Sequence, residues 1–374
     1  MNKDNLDKII TLRHELHRHP ELSLQETWTK QHLMEFLKEH TDHKIVDKGK
    51  WFYAVCRGID RNRDPMAFRA DFDAVAVQET CELPYVSEIP GVGHKCGHDG
   101  HSSVLCGLAL ELLEEKPLQD TYLIFQHGEE IGQGGEECSR LIPEKGIKQV
   151  YAFHNRSGYE KHTVVYSRDL AQCASRGLTI TLTGTPAHAS QPEDGINPAV
   201  TVADIIRFSQ ELVNCSCFTQ MVLCTIIHAQ VGEKNFGIAA SKAEVSMTLR
   251  ANVEAELDLF EQKLREYAEG LANERSLRIA FAISDPFPET RNDPAAVERV
   301  LAAARQCGYK TLEMKQPWRA SEDFGYYTKQ CSGAMIYVGN GMQYPEVHTA
   351  EYDFCDDIIP TCVDLFTALA TSEC

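Results

Sequence analysis

The chain is short of basic residues, with 37 Lys and Arg against 55 Asp and Glu and a formal net charge of −18. A protein of this charge repels the phosphate backbone of nucleic acids and the anionic headgroups of membranes. We therefore expect neither nucleic acid nor a membrane among its partners.

Long apolar runs are also lacking. No stretch has the roughly 20 apolar residues that cross a bilayer, and residues 1–7 lack the apolar core of a signal peptide. These absences predict a cytoplasmic protein. The 14 cysteines are scattered, which favours buried thiols over a disulfide framework. Cys215 and Cys217 have the wrong spacing for a zinc knuckle and are interpreted as structural.

The length of 374 residues predicts about two domains. Residues 5–40 have the spacing of two helices broken around His19-Pro20. Between residues 51 and 172, strand-like runs alternate with helical ones. This pattern predicts an α/β fold whose main domain has a central mixed sheet flanked by helices.

Four runs in this pattern are predicted strands, at residues 66–70, 122–126, 150–153 and 334–338. Polar residues come after each of them, namely Asp71 and Asp73, then Glu129 and Glu130, then His154 and, further along, His348. Ligand sites of open α/β sheets lie beyond the carboxyl ends of the strands. These side chains are therefore expected to converge.

Residues 174–285 have a different character. Their strand and helix patterns occur in the order βαββαβ, which is typical of a ferredoxin-like α+β domain. Pro286-Phe287-Pro288 is the predicted linker back to the main domain. We therefore predict a discontinuous main domain of residues 1–173 and 286–374 with an inserted domain of residues 174–285.

The most specific motif is Cys96-Gly97-His98-Asp99-Gly100-His101, followed by a helical run over residues 102–115. In an extended loop, residues two apart point the same way, so the Cys96 sulfur and a His98 nitrogen could reach one ion. Thiolate and imidazole suit zinc or a similar late first-row metal. A buried thiol beside an unrelated surface histidine explains this spacing about equally well.

The motif Gln126-His127-Gly128-Glu129-Glu130 places two adjacent carboxylates after a predicted buried strand. One could bind metal while the other takes a proton from the attacking water. Taken alone, such a pair is more often an acidic surface turn. With Cys96, His98, His154 and His348, however, Glu130 completes about enough ligands for two ions, if one ligand or a hydroxide bridges them.

The inserted domain contributes His188, in the loop Gly184-Thr185-Pro186-Ala187-His188. This histidine could donate a hydrogen bond to the oxyanion that develops on an attacked carbonyl. It could equally be an ordinary loop histidine, and the residues alone leave both readings open.

A series of motifs spans nearly the whole chain: Phe68-Arg69-Ala70-Asp71-Phe72-Asp73-Ala74, residues 96–101, Glu129-Glu130, His154, Ala187-His188-Ala189, Ser321-Glu322-Asp323-Phe324 and His348. In this order they resemble the metal-dependent aminoacylase and carboxypeptidase family. The subgroup they resemble contains hippurate hydrolase, auxin-conjugate hydrolases and bacterial N-acyl-amino-acid amidohydrolases. Residues 12–22 also resemble the opening helix of that subgroup.

The resemblance implies a metal-dependent enzyme with two divalent ions per subunit, zinc first and manganese, cobalt or nickel as alternatives. The implied metal ligands are Cys96, His98, Glu130, His154 and His348. Glu129 would be the general base and then the proton donor to the leaving amine. The inserted domain would be a lid and a homodimer interface, and His188 would serve its own or the partner's active site.

Some positions depart from the family pattern. Asp71 matches an acidic residue that orients a metal-binding histidine in related enzymes, but Arg69 stands where that histidine would be. An Asn-Val-Ile-Pro stretch is replaced by residues 236–241, for which Asn235 is a candidate substitute in substrate binding. Arg250 is retained and is expected to bind the substrate carboxylate, because guanidinium geometry suits a forked pair.

The sequence therefore predicts hydrolysis of the amide bond of a small N-acyl amino acid or a related conjugate. A dipeptidase or a biosynthetic deacetylase would use the same chemistry. From a different class, a non-catalytic binding protein on this fold is the remaining alternative.

Overall fold

Sixteen strands and ten helices occur in the residues that the computed structural model describes, 1–373. The helices are α1 (Lys3–Arg18), α2 (Thr27–His40), α3 (His98–Glu114), α4 (Gly134–Cys138), α5 (Leu141–Lys145), α6 (Ala199–Leu212), α7 (Glu254–Glu274), α8 (Pro294–Cys307), α9 (Gly325–Thr328) and α10 (Ile359–Thr371). The strands are β1 (Lys44–Asp47), β2 (Phe52–Cys56), β3 (Met66–Asp71), β4 (Thr121–Gln126), β5 (Gln149–Ser157), β6 (Val164–Tyr166), β7 (Leu170–Gln172), β8 (Ala174–Thr183), β9 (Ala187–His188), β10 (Val222–Val231), β11 (Ile238–Ala239), β12 (Lys242–Ala251), β13 (Arg278–Phe287), β14 (Thr290–Arg291), β15 (Thr311–Glu313) and β16 (Ser332–Gly341). No helix in this part of the chain has the length and hydrophobicity needed to cross a membrane.

These elements form two units. The first contains Met1–Ala171, Thr290–Pro317 and residues 322–373, and the second contains Gln172–Glu289 and Trp318–Ser321. The short segment Trp318–Ser321 belongs to the second unit because the Ser321 hydroxyl hydrogen-bonds there to Ser175 and Arg250. The metal-binding role of the main domain and the lid and dimer role of the inserted domain are predictions.

The first unit contains an eight-stranded mixed sheet in the order β1-β2-β4-β3-β5-β16-β6-β15. Strands β4, β3, β5 and β16 are parallel neighbours and their residues are almost entirely buried, as expected for strands covered on both faces. Helices α1, α3, α8 and α10 pack with them around one apolar core. The predicted α/β architecture with a central mixed sheet is confirmed.

The predicted conformation of the Cys96 to His98 segment is wrong. Helix α3 begins at His98 rather than at residue 102, and Gly97 caps it with a left-handed φ of 99°. A Cβ on Gly97 would lie 2.4 Å from the Asn155 Oδ1 atom, so only glycine fits there. The two flanking side chains meet across a helix start, not along an extended loop.

His154 lies inside β5, whereas the sequence placed it just after a strand ending at residue 153. The strand continues to Ser157 because β16 pairs with it in parallel register through Val338 opposite Asn155 and Gly341 opposite Ser157. The pairing partner β16 lies far downstream, after the whole inserted second unit, which explains why local pattern could not show the extension.

The second unit contains a four-stranded antiparallel sheet in the order β10-β12-β8-β13. With α6 and α7 it follows the predicted βαββαβ order. Residues of both helices, such as Ile205 and Phe260, form its apolar core with strand residues such as Leu178 and Met247. A disulfide joins Cys215 to Cys217, and no other described cysteine forms a disulfide.

Two helical glycines give a test of this packing. A Cβ on Gly100 of α3 would lie 2.3 Å from the Phe354 ring, whereas one on Gly270 of α7 would meet nothing within 4 Å. Gly100→Ala should lower the free energy of unfolding by roughly 1–3 kcal/mol through overpacking. Gly270→Ala should raise it by roughly 0.5–1 kcal/mol, because alanine favours helix.

Urea denaturation of the metal-free protein would measure both changes. A Gly100→Ala variant as stable as the wild type would contradict the packing of α3 on Phe354.

Candidate metal centre

The predicted site residues of the first unit converge at one edge of its sheet. Asp71 is the last residue of β3, Glu129 and Glu130 follow β4, and His154 lies in β5. Because these three strands are parallel, their carboxyl ends meet at the same edge. His98, at the first position of α3, faces the same group of side chains.

Five side chains supply two overlapping groups of metal-ligand atoms. Cys96, His98 and His154 form one group, and Cys96, Glu130 and His348 form the other, with the ligand atoms of each group within 4.8 Å of one another. The Cys96 sulfur lies 3.4 Å from the His154 Nε2 atom, and Glu130 Oε1 lies 3.4 Å from His348 Nε2. The structure therefore brings all five predicted ligands together, with Cys96 common to both groups.

His98 presents a free nitrogen to this cluster. Its Nδ1 atom lies 3.1 Å from Asp73 Oδ1, while its buried Nε2 atom has no hydrogen-bond partner among the described residues. That Nε2 atom lies 3.7 Å from Glu130 Oε1 and 3.8 Å from Glu129 Oε2. A carboxylate that holds the far nitrogen of a histidine is the usual support of a metal-binding imidazole.

His154 is oriented in a similar way by the backbone. Its Nδ1 atom lies 2.7 Å from the Asn155 carbonyl oxygen, so Nδ1 carries the proton and Nε2 turns its lone pair towards Cys96. Burial, followed by the nearby His101 and His98 rings, holds the pKa of His154 well below its usual value. A neutral imidazole is the form that binds a metal.

The charges of the site fit divalent cations. Asp71, Asp73 and Glu129 are buried together, and the buried guanidinium among them, Arg69, is already shared with Asp71, Glu322 and Asp323. Burial and the neighbouring carboxylates raise the pKa of both Glu129 and Cys96. Buried anions without counter-ions are costly, so this donor set matches cations rather than an apolar ligand.

Asp71 contacts a histidine that is not one of the predicted ligands. Its Oδ1 atom lies 2.6 Å from His101 Nδ1, and its Oδ2 atom accepts a 2.6 Å hydrogen bond from Arg69. Arg69 also donates to Gln126 at 2.9 Å and to Asp323 at 2.6 Å. Arg69 thus anchors Asp71.

Several residues that contact the side chains around the ligands, namely Gln126, Asn155 and Tyr352, were not predicted as site residues from the sequence. Asn155 Oδ1 lies 2.6 Å from His101 Nε2, and its amide nitrogen donates to the Tyr352 hydroxyl at 2.6 Å. Gln126 ends β4, where a polar residue at the end of an otherwise buried strand was the available signal. Tyr352 had no such signal, because its partners are distant in the chain.

The remaining predicted residues lie in the second unit. His188 is exposed on β9, and its Nδ1 atom lies 2.7 Å from the Ser190 hydroxyl and 3.2 Å from the Ser190 backbone nitrogen. Arg250, on β12, donates to the Ser321 hydroxyl at 2.8 Å, and no described carboxylate pairs with it. Asn235 lies in an exposed turn, where its side-chain oxygen accepts from the Gly237 N–H at 2.9 Å.

Fold and sequence together define the class of protein. Residues 67–372 match the model of Peptidase family M20/M25/M40. The chain belongs to this family of hydrolases, and the resemblance inferred from its motifs is confirmed.

Similar proteins match over almost the whole length. An N-acetylcysteine deacetylase from Bacillus subtilis (strain 168) is 27% identical over 97% of this chain and 96% of its own. A hippurate hydrolase from Campylobacter jejuni is 27% identical over 96% of this chain and 94% of its own. A Bacillus subtilis structure described as a dinuclear metal binding peptidase is 24% identical, covers 99% of this chain and 98% of its own, and has a TM-score of 0.82. The last match confirms the fold.

The titration of His98 tests the electrostatics of the site in the metal-free protein. Burial alone would lower the pKa of His98, but Asp71 and Asp73 outweigh it and raise that pKa from 6.5 to about 10. The stabilisation from protonated His98 should therefore be complete below pH 6.5 and lost as the pH rises through about 10.

Histidine NMR spectra of the chelator-treated protein would follow this titration. His98 should stay protonated well above pH 7, while His154 stays neutral as the internal reference. A His98 ring that titrates near pH 6.5 would contradict its pairing with Asp71 and Asp73.

Proposed function

We propose that this protein is a metal-dependent amidohydrolase that cleaves the amide bond of a small N-acyl amino acid or a related conjugate. The observation that carries the proposal is the pair of ligand groups sharing Cys96, with Glu129 next to them. The relatives named N-acetylcysteine deacetylase and hippurate hydrolase support this substrate class, since both names denote N-acyl amino acids.

Two divalent ions would be held by Cys96, His98 and His154 on one side and by Cys96, Glu130 and His348 on the other. Thiolate and imidazole donors favour zinc, with manganese, cobalt or nickel as alternatives. The relative described as a dinuclear metal binding peptidase supports the number of ions. When bound, the ions would polarise the scissile carbonyl and make the attacking water more acidic.

Glu129 is the proposed general base. The residue is 5% exposed, and burial together with Glu322 and Glu130 raises its pKa. A raised pKa makes the carboxylate a better proton acceptor near neutral pH, although bound cations would lower that pKa again. Glu129 would take the proton of the attacking water and then deliver it to the leaving nitrogen.

Two residues of the second unit have proposed roles towards the substrate. His188 Nδ1 lies 2.7 Å from the Ser190 hydroxyl and 3.2 Å from the Ser190 backbone nitrogen. With Nδ1 as the acceptor of both bonds, the ring proton would sit on Nε2. The His188 Nε2–H group would then be the hydrogen-bond donor that an oxyanion requires. Arg250 lacks a carboxylate partner among the described residues, which supports binding of the substrate carboxylate.

Four further features are predicted: substrate binding by Asn235, a positioning role for Asp71, a homodimer formed through the second unit, and a cytoplasmic location. The dipeptidase and deacetylase alternatives differ in substrate only. Hydrolysis rates for a panel of N-acetyl and N-benzoyl amino acids and dipeptides would separate them.

Glu129→Gln tests the assignment of the base. The variant keeps the size and burial of the side chain but cannot accept a proton, so turnover of an N-acyl amino acid should fall by about 10²–10⁴-fold. Metal content, measured by mass spectrometry of the purified protein, should stay at the wild-type value.

The matched control is Glu137→Gln, at a half-exposed carboxylate of α4 outside both ligand groups, which should leave turnover unchanged. Normal turnover by Glu129→Gln would show that another residue is the base.

Arg250→Lys tests carboxylate recognition. The lysine keeps the charge but loses the fork, so KM should rise about 10–100-fold, as expected for loss of charged hydrogen bonds worth about 1.5–3 kcal/mol. The KM of the corresponding substrate amide, which lacks the carboxylate, should be the same in variant and wild type. An equal rise in KM for both substrates would contradict the proposed contact.

A further inference from the structure

A completely buried lysine lies next to the predicted metal ligands. The Lys95 side chain is 0% exposed, and lysine is rarely buried unless it is paired. Its ammonium group forms an ion pair with Glu79 and donates to the Tyr352 carbonyl oxygen at 2.7 Å. Glu79 in turn accepts from the Ser87 N–H at 2.8 Å and lies 3.0 Å from His17 Nε2.

Lys95 holds the segment that carries His348 at two points. Besides the bond from its ammonium group to Tyr352, the Lys95 carbonyl oxygen accepts a 2.6 Å hydrogen bond from the His348 N–H. Lys95 also immediately precedes Cys96 in the chain. The position of Lys95 therefore affects two predicted ligands, Cys96 and His348, that are far apart in the sequence.

His348 needs such support more than the other ligands do. Its side chain is 50% exposed, and its φ of 64° is one that non-glycine residues seldom adopt. Further hydrogen bonds attach the segment, from the Thr80 N–H to the Ala350 carbonyl oxygen, from the Cys81 thiol to the Ala350 and Tyr352 carbonyl oxygens, and from Asn155 to the Tyr352 hydroxyl. They keep the segment folded, but none of them involves His348 or the residue next to Cys96.

The histidines of the other group are oriented without the Lys95 side chain. His98 is oriented by Asp73, and His154 is oriented by the Asn155 carbonyl oxygen. Neither support includes Lys95 or Glu79. A change in the Lys95 side chain should therefore affect the two groups unequally.

We propose that Lys95 is a positioning residue for the metal group of Cys96, Glu130 and His348. The inference rests on the proposed function, since it requires two bound cations. Without the ammonium group, residues 348–352 lose the hydrogen bond from Lys95 to the Tyr352 carbonyl oxygen and keep the backbone bond from His348 to Lys95. His348 is then held less firmly at the distance that a shared ion requires. The ion at Cys96, His98 and His154 keeps its supports.

The test is the affinity of each zinc ion in chelator competition, with the zinc content of the whole chain measured in parallel. Lys95→Met should retain one tightly bound ion and bind the second about 10–100-fold more weakly, the usual effect of removing a support behind a metal ligand. Because this variant removes the ammonium group and leaves the buried Glu79 with His17 as its remaining side-chain partner, Lys95→Met combined with Glu79→Gln removes both charges of the lysine–glutamate pair and is the decisive variant should the single one fail to fold.

The matched control is Lys310→Met with Glu160→Gln, an exposed lysine–glutamate pair of the same unit, which should bind two ions as the wild type does. Two ions bound with wild-type affinities by the Lys95 double variant would overturn the inference alone, as would equal weakening of both ions. A wild-type chain that binds fewer than two ions would instead overturn the proposed function, and the inference with it.

Discussion

Buried negative charge at the carboxyl edge of the large sheet is the constraint on which the rest of this structure depends. Asp71, Asp73 and Glu129 lie there almost without solvent. Arg69 compensates only Asp71 and the two acidic residues that follow Ser321. Uncompensated charge in a protein interior is costly. The remaining carboxylates and the sulfur of Cys96 therefore each require either a bound cation or a bound proton. The proposed function follows from the first of these alternatives.

Hydrogen bonds to the ring nitrogens that face away from the cluster orient the two buried histidine ligands. Asp73 and the Asn155 carbonyl oxygen fix the rings of His98 and His154, so that both Nε2 atoms face the cluster. Lys95 connects the start of the Cys96 loop to the His348 segment. Such supports determine which nitrogen faces a metal, and they commonly matter nearly as much as the ligands.

The sequence predicted the large features of this protein because they depend on local pattern. The four buried strands, the βαββαβ order and the five clustered ligands were all visible in residue spacing or in the family resemblance. The start of α3 was missed because the left-handed turn at Gly97 depends on Asn155, which packs against it from β5. The Lys95 to Tyr352 contact joins residues 257 positions apart, and the Arg69 network joins positions 69 and 323. Such pairs leave no periodic signal in a single sequence.

Anomalous X-ray diffraction from crystals of the protein grown with zinc would test the central claim most directly. Two anomalous peaks should appear, both in contact with the Cys96 sulfur, one also bound to His98 and His154 and the other to Glu130 and His348. Zinc bound only at other residues, with these five side chains contacting no metal, would contradict the account.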